Sequence, residues 1–321
     1  MPKLLLTALV FASLAAAQDA SDSGENDLDH AVKVSDDVLW RLELGGIAEV
    51  RTFRYTSSPK GTSRSPLIVY AYSYVPLGID RTRKHPMVVL VHGGVHGSHM
   101  TGGPANSATI VRELVAQGYV VVAPDYRGST GYGQSYKMAI DYGGKENDDV
   151  LAARQWMVER YPFIDPARVG VMGWSHGGMI AFFNVLFHPE AYACAYAGVP
   201  VSDLMKRREY VKGMVDTMAK SAGPAAARDD EEYKRRSPVT HAGKLARPLL
   251  VHGNTSDSTV RVVEVNALVA ALQAAGRPFE HKIYEDAPGG HHFNRIDTKL
   301  AVDSRREIYS FLNKHLHPAA H

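Results

Sequence analysis

Four short, nearly uninterrupted apolar runs constrain this chain most: MVVLVHG (87–93), YVVVAP (119–124), RVGVMGW (168–174) and PLLVHGN (248–254). A strand that is apolar on both sides must be covered on both faces, which is the situation in a parallel sheet packed between helices. Helical patterns lie between the runs: SATIVRELVAQG (107–118), DDVLAARQWMVERY (148–161), GGMIAFFNVLF (177–187) and VEVNALVAALQAAG (263–276). A last helix is expected near the C-terminal end. ACAYAGV (193–199) and FEHKIYE (279–285) extend the strand series. IAEVRTF (47–53) and LIVYAYSYV (67–75) alternate and are joined by a Ser/Pro/Gly/Lys segment, as an antiparallel hairpin would be. The pattern predicts an α/β fold with an eight-stranded, mostly parallel sheet flanked by helices. Residues 202–246 break the alternation. They are charged and helix-prone, and are expected to form a lid-like excursion, built on loops, over the top of a single domain spanning 45–316.

At the other end, Lys3 precedes the uncharged run LLLTALVFASLAAA (4–17), which ends in small residues. This predicts a secretory signal peptide over 1–17, too short for the ~20 residues of a spanning helix. The chain is therefore expected to be exported, secreted or periplasmic, with no membrane span after cleavage. Residues 18–44 begin acidic and polar (DASDSGENDLDH, 19–30) and are expected to be a loose segment. Lys and Arg number 36 against 34 Asp and Glu, a balance that argues against a nucleic-acid partner. The one cysteine, Cys194, can form neither an internal disulfide nor a Cys-based zinc site, and its apolar strand makes it a core residue. Oligomeric state is left open.

The chemistry starts at Gly173-Trp174-Ser175-His176-Gly177, a G-x-S-x-G sequence between a strand and a helix. There the glycines permit a sharp turn that exposes the serine hydroxyl at the strand end. A hydroxyl is a weak nucleophile until a base takes its proton, so an acid and a histidine should follow on later loops. Asp257, three residues past PLLVHGN, fits the acid. Asp203 could simply cap a helix, and Asp286 is too near the available histidines in sequence. The base falls in Gly289-Gly290-His291-His292, where one of the two histidines should point into the site. The order Ser175, Asp257, His291 is that of an α/β-hydrolase. For the oxyanion, the His176 N–H is one expected donor. A second should come from the Gly93-Gly94 loop or from the loop carrying Tyr126. His92, His96 and His99, with His176, His252 and His292, raise the question of a metal. The surrounding glycines make a helical ligand register unlikely and no carboxylate is close in sequence, so neither metal nor cofactor is expected. The Asn254-Thr255-Ser256 sequon is taken as chance, because a glycan there would crowd Asp257.

GWSHGG, HGNTSDSTV (252–260) and GGHHF (289–293) resemble the three catalytic motifs of the prolyl oligopeptidase family. DYRGSTGYGQSY (125–136) and YGGKENDDV (142–150) are similar to its acylaminoacyl peptidase and dipeptidyl peptidase branches. AYAGVPVSDL (195–204) and RRSPVTHAGKLARPLLVHG (235–253) extend the likeness, which covers about residues 45–316. The resemblance implies Ser175 as nucleophile, Asp257 as acid, and His291 rather than His292 as base. It also implies an oxyanion hole of the Tyr126 hydroxyl and the His176 N–H. The family's pattern has one glycine before the histidine and a small residue after it; here there are two glycines, and His292 follows. Family peptidases usually carry an N-terminal β-propeller, and residues 18–85 are too few for four blades of about 40–50 residues. The expected activity is that of a serine peptidase on peptides. The alternative is a carboxylesterase on small esters, because the same scaffold supports both.

Overall fold

The computed structural model describes residues 27–59, 65–102 and 107–318. The expected signal peptide and residues 18–26 lie outside them. The strands are β1 (Ala48–Pro59), β2 (Pro66–Pro76), β3 (His85–Val91), β4 (Val120–Asp125), β5 (Ile164–Trp174), β6 (Cys194–Gly198), β7 (Leu249–Asn254) and β8 (Phe279–Tyr284). They form one sheet in the order β1-β2-β4-β3-β5-β6-β7-β8. β1 pairs antiparallel with β2, and β2 with β4; all later pairings are parallel. The anticipated hairpin and parallel body are both present. The crossing of β3 and β4 puts a reversal of strand order at the β3–β5 junction, the kind of position where open α/β sheets hold their sites.

The helices are α1 (27–44), α2 (Ser107–Ala116), α3 (Gln134–Lys137), α4 (Glu146–Arg160), α5 (His176–Phe187), α6 (Leu204–Tyr210), α7 (Met214–Ala222), α8 (Asp230–Arg235), α9 (Val262–Ala274) and α10 (Lys299–Leu316). Val150 and Met157 of α4, Ile180 and Phe182 of α5, and Leu268 of α9 pack against one sheet face. Trp40 of α1, Val111 of α2 and Ile308 and Leu312 of α10 pack against the other. Two covered faces explain why β3, β4 and β7 are buried at every position.

Two expectations need correction. Residues 27–44 are not loose: they form α1, with Trp40 and Leu44 fully buried. The excursion is built on α6, α7 and α8 with short 3₁₀ turns, not on loops. Met214, Met218 and Tyr233 sink into the core. Arg207 Nη1 meets Glu264 of α9 at 3.0 Å, and Ser202 Oγ donates to the Glu264 carbonyl at 3.0 Å. These buried polar ties anchor the segment to the body.

Candidate active site

β5 ends at Trp174, and α5 begins at His176. Ser175 between them has φ 60° and ψ −122°. A non-glycine residue there is strained by about 1–3 kcal/mol, so the surroundings must enforce it. They do so by close approach of backbone. A Cβ on Gly177 would lie 2.4 Å from the Val91 carbonyl oxygen, and one on Gly173 2.5 Å from the Gly177 carbonyl carbon. The Ser175 N–H donates to Gly198 O at 2.9 Å, and its carbonyl accepts from the Met179 and Val201 N–H groups. The serine is thereby fixed at the head of α5, whose first N–H groups have no partner inside the helix.

Past β7, Asp257 is buried, and its Oδ1 accepts from the N–H groups of Thr259 and Val260 at 2.8 and 2.9 Å. Its Oδ2 lies 2.7 Å from His291 Nδ1. A carboxylate on Nδ1 holds the proton there and leaves Nε2 free to act as a base. Of the rival acids, Asp203 caps α6 by accepting from the Lys206 N–H, and Asp286 sits at φ 43° beside Thr255. Among the described residues, no hydrogen bond links Ser175 to His291. Such bonds commonly tighten only around substrate.

The adjacent histidines face different partners. His292 Nδ1 accepts from Arg295 Nη2 at 3.0 Å. Burial, with Arg295 and His291 beside it, pushes the His292 imidazole down to about 4. A nitrogen occupied by a guanidinium donor is a poor general base.

The Tyr126 hydroxyl, expected as an oxyanion donor, is fully buried. It donates to Gly94 O at 2.9 Å and lies 3.2 Å from His92 O. Its proton is directed at the loop after β3. Gly93 on that loop lies against the serine: a Cβ there would be 2.9 Å from Trp174 O and 3.4 Å from Ser175 Cβ. Only a residue without a side chain fits so near the serine.

Some structural partners escaped the sequence reading. Asn254 of the sequon is buried; its Nδ2 donates to Ala287 O and Gly290 O, and its Oδ1 accepts from the Ala287 N–H. One amide therefore ties the Asp257 loop to the His291 loop. Asn294 bridges Trp174 Nε1 and the Tyr196 hydroxyl. The signal available was position: each adjoins a motif residue.

The histidine series disperses. His92 Nε2 meets Ser129 Oγ, His96 Nδ1 meets Gly128 O, His99 stacks on Trp40, and His252 Nδ1 meets Ser304 Oγ. No group of three or more His, Cys, Asp or Glu is placed to hold a metal ion among the described residues. The His176 ring lies with Nε2 3.3 Å from Glu146 Oε1, at an angle that makes no hydrogen bond. Burial pushes the Cys194 thiol up to about 12. Two grooves lie elsewhere, about 450 Å³ beside α1 and β1–β2 and about 630 Å³ between α8 and the C-terminal end of α5. Neither is lined by Ser175, Asp257 or His291.

The model of the prolyl oligopeptidase family matches residues 106–319. Dipeptidyl aminopeptidase BIII of Pseudoxanthomonas mexicana is 31% identical over 231 residues, covering 69% of this chain and 32% of that protein. Dipeptidyl peptidase family member 6 of Caenorhabditis elegans is 30% identical over 228 residues, 68% of this chain and 30% of the relative. The chain thus spans about a third of the length of these relatives. Among solved structures, an acylaminoacyl peptidase in complex with Z-Gly-Gly-Phe-chloromethyl ketone superposes with a TM-score of 0.72 at 20% identity, covering 86% of this chain and 43% of that one. A puromycin-hydrolyzing peptidase from Mycobacterium tuberculosis gives 0.70 at 23% identity, covering 84% and 40%. The fold is that of these peptidases' α/β-hydrolase domains, and by the match over residues 106–319 the chain belongs to the prolyl oligopeptidase family.

Proposed function

We propose that this protein is a serine peptidase in which Ser175, His291 and Asp257 act as a triad. The observation that carries the reading is the 2.7 Å contact of His291 Nδ1 with Asp257, beside a serine held at positive φ on a strand–helix turn. Family membership supports the same reaction class. His291 Nε2 takes the Ser175 proton as Oγ attacks the substrate carbonyl carbon. The oxyanion that forms accepts from the His176 N–H and, in place of the Tyr126 hydroxyl, the Gly93 N–H. Collapse breaks the C–N bond as His291 returns the proton to the leaving amine. Water then cleaves the acyl-enzyme by the same proton route. The donors meet charge that exists only at the transition state, which is where binding accelerates chemistry.

We further propose that residues 4–17 direct export. The substrates are short peptides, blocked or unblocked, and small activated esters, since one acyl-enzyme route serves both amides and esters. The test compares p-nitrophenyl esters with blocked and free peptidyl chromogenic amides, on wild type and on Ser175→Ala. Amide and ester turnover that both vanish in Ser175→Ala, by about 10⁶-fold, are expected. Brisk ester hydrolysis with no amide cleavage would replace the peptidase reading with the carboxylesterase one.

A further inference from the structure

α1 touches the catalytic end of the sheet through polar atoms, not only through its apolar side chains. Lys33 is 4% exposed, and its Nζ lies 2.8 Å from Asp125 Oδ2 and donates to His99 O at 2.5 Å. The ammonium also sits 4.5 Å from the centre of the Tyr72 ring. Asp36, equally buried, accepts from the Thr101 N–H at 3.0 Å and from the Thr101 hydroxyl. Trp40 stacks flat on the His99 ring at 4.8 Å. Asp125 in turn accepts from the His99 N–H at 2.5 Å.

These bonds converge on one segment, the glycine-rich loop 92–101. Its first part carries Gly93 against Ser175; its last part carries His99 and Thr101 against α1. Glycine gives such a loop wide backbone freedom, and Gly94 uses it at φ 75°. Something outside must define its path. Lys33 and Asp36 bond the backbone atoms of His99 and Thr101, so they fix where the chain runs, whatever its side chains do. A buried charge is costly without good partners, and both of these have them.

We propose that α1 is part of the catalytic apparatus: through Lys33 and Asp36 it clamps the loop 92–101 and so sets Gly93 against the reacting carbonyl. Lys33 and Asp36 are positioning residues, since neither touches the substrate. The proposal rests on Ser175 being the nucleophile and Gly93 an oxyanion donor. Misplacement of a catalytic group by about 1 Å costs up to ~10²-fold in rate.

The test measures kcat and KM on a p-nitrophenyl ester for wild type, Lys33→Met, Asp36→Ala, Asp36→Asn and Ser175→Ala, each checked by thermal melt. Lys33→Met and Asp36→Ala are expected to lose about 10–100-fold in kcat with KM within about twofold, because the defect meets only the transition state. Asp36→Asn keeps an acceptor for the Thr101 N–H and should recover most of the loss. Should Lys33→Met not fold, Asp36→Ala decides, since it leaves no unpaired buried charge. Folded variants with wild-type kcat, or with the change carried in KM alone, would overturn the clamp. Activity surviving in Ser175→Ala would instead overturn the underlying reading, and the two failures are separate.

Discussion

His291 and His292 are neighbours in the chain with opposite electrostatic settings, a carboxylate on one and a guanidinium on the other. His291→Ala should therefore reduce kcat by about 10⁴-fold or more, while His292→Ala should stay within about tenfold, as steady-state kinetics on one ester will show. Equal losses would mean the two rings act together. Tyr126 is the other discriminating residue. If its hydroxyl only braces Gly94 and His92, Tyr126→Phe costs about 1 kcal/mol of stability and less than about tenfold in kcat. A loss of about 10²–10³-fold would return the hydroxyl to the oxyanion hole. The serine turn and the Asp257–His291 pair were legible in sequence because short motifs encode them. The direction of the Tyr126 hydroxyl was not, because a tyrosine beside a glycine loop looks the same whether its hydroxyl faces substrate or a backbone carbonyl. Asn254 was not legible either: a sequon says nothing of burial, and the partners of its buried amide lie 33 and 36 residues on, in the loop that carries His291.

At the scale of elements, the strands were legible because continuous apolar runs and alternating runs differ visibly. α1 was not. Its inward positions include Lys33 and Asp36 beside Trp40 and Leu44, while Leu28, Val32, Leu39 and Leu42 point outward and are exposed. A reading by hydrophobic period expects the reverse, and the partners that make the charges acceptable lie 65 or more residues away. The excursion's helices were hinted at by composition, but their anchoring through Glu264 depends on a contact 57 residues distant. The turn around Ser175 makes its own prediction. Gly177→Ala would drive a methyl into the Val91 and His92 carbonyls, at 2.4 and 2.5 Å. Overpacking of this kind costs about 1–3 kcal/mol or more, and here it also displaces the serine. Thermal melts and kcat should fall together; a variant with unchanged melting and turnover would contradict the tight packing of the turn.

For the molecule as a whole, pH should act through histidines kept neutral by burial. Burial pushes the imidazoles of His92, His99 and His252 down to about 4, about 3 and about 4. Unfolded, each titrates near ~6.5. Between these values the unfolded chain binds protons that the folded chain does not, so stability rises with pH across the window. It is fully present above about pH 6.5 and declines as the pH falls toward about 4. The melting temperature should drop across that interval with an uptake of more than one proton on unfolding, and a His252→Asn variant should show a shallower slope. A flat profile would mean these rings are solvated. The central claim concerns one atom, the Ser175 hydroxyl oxygen, and the most direct measurement is to react the protein with a fluorophosphonate and locate the adduct by mass spectrometry of its peptides. One adduct per chain on Ser175, formed in step with loss of activity and absent after Asp257→Asn slows the base by about 10⁴-fold, is the expected result. Modification elsewhere, or activity that survives complete labelling of Ser175, would contradict it.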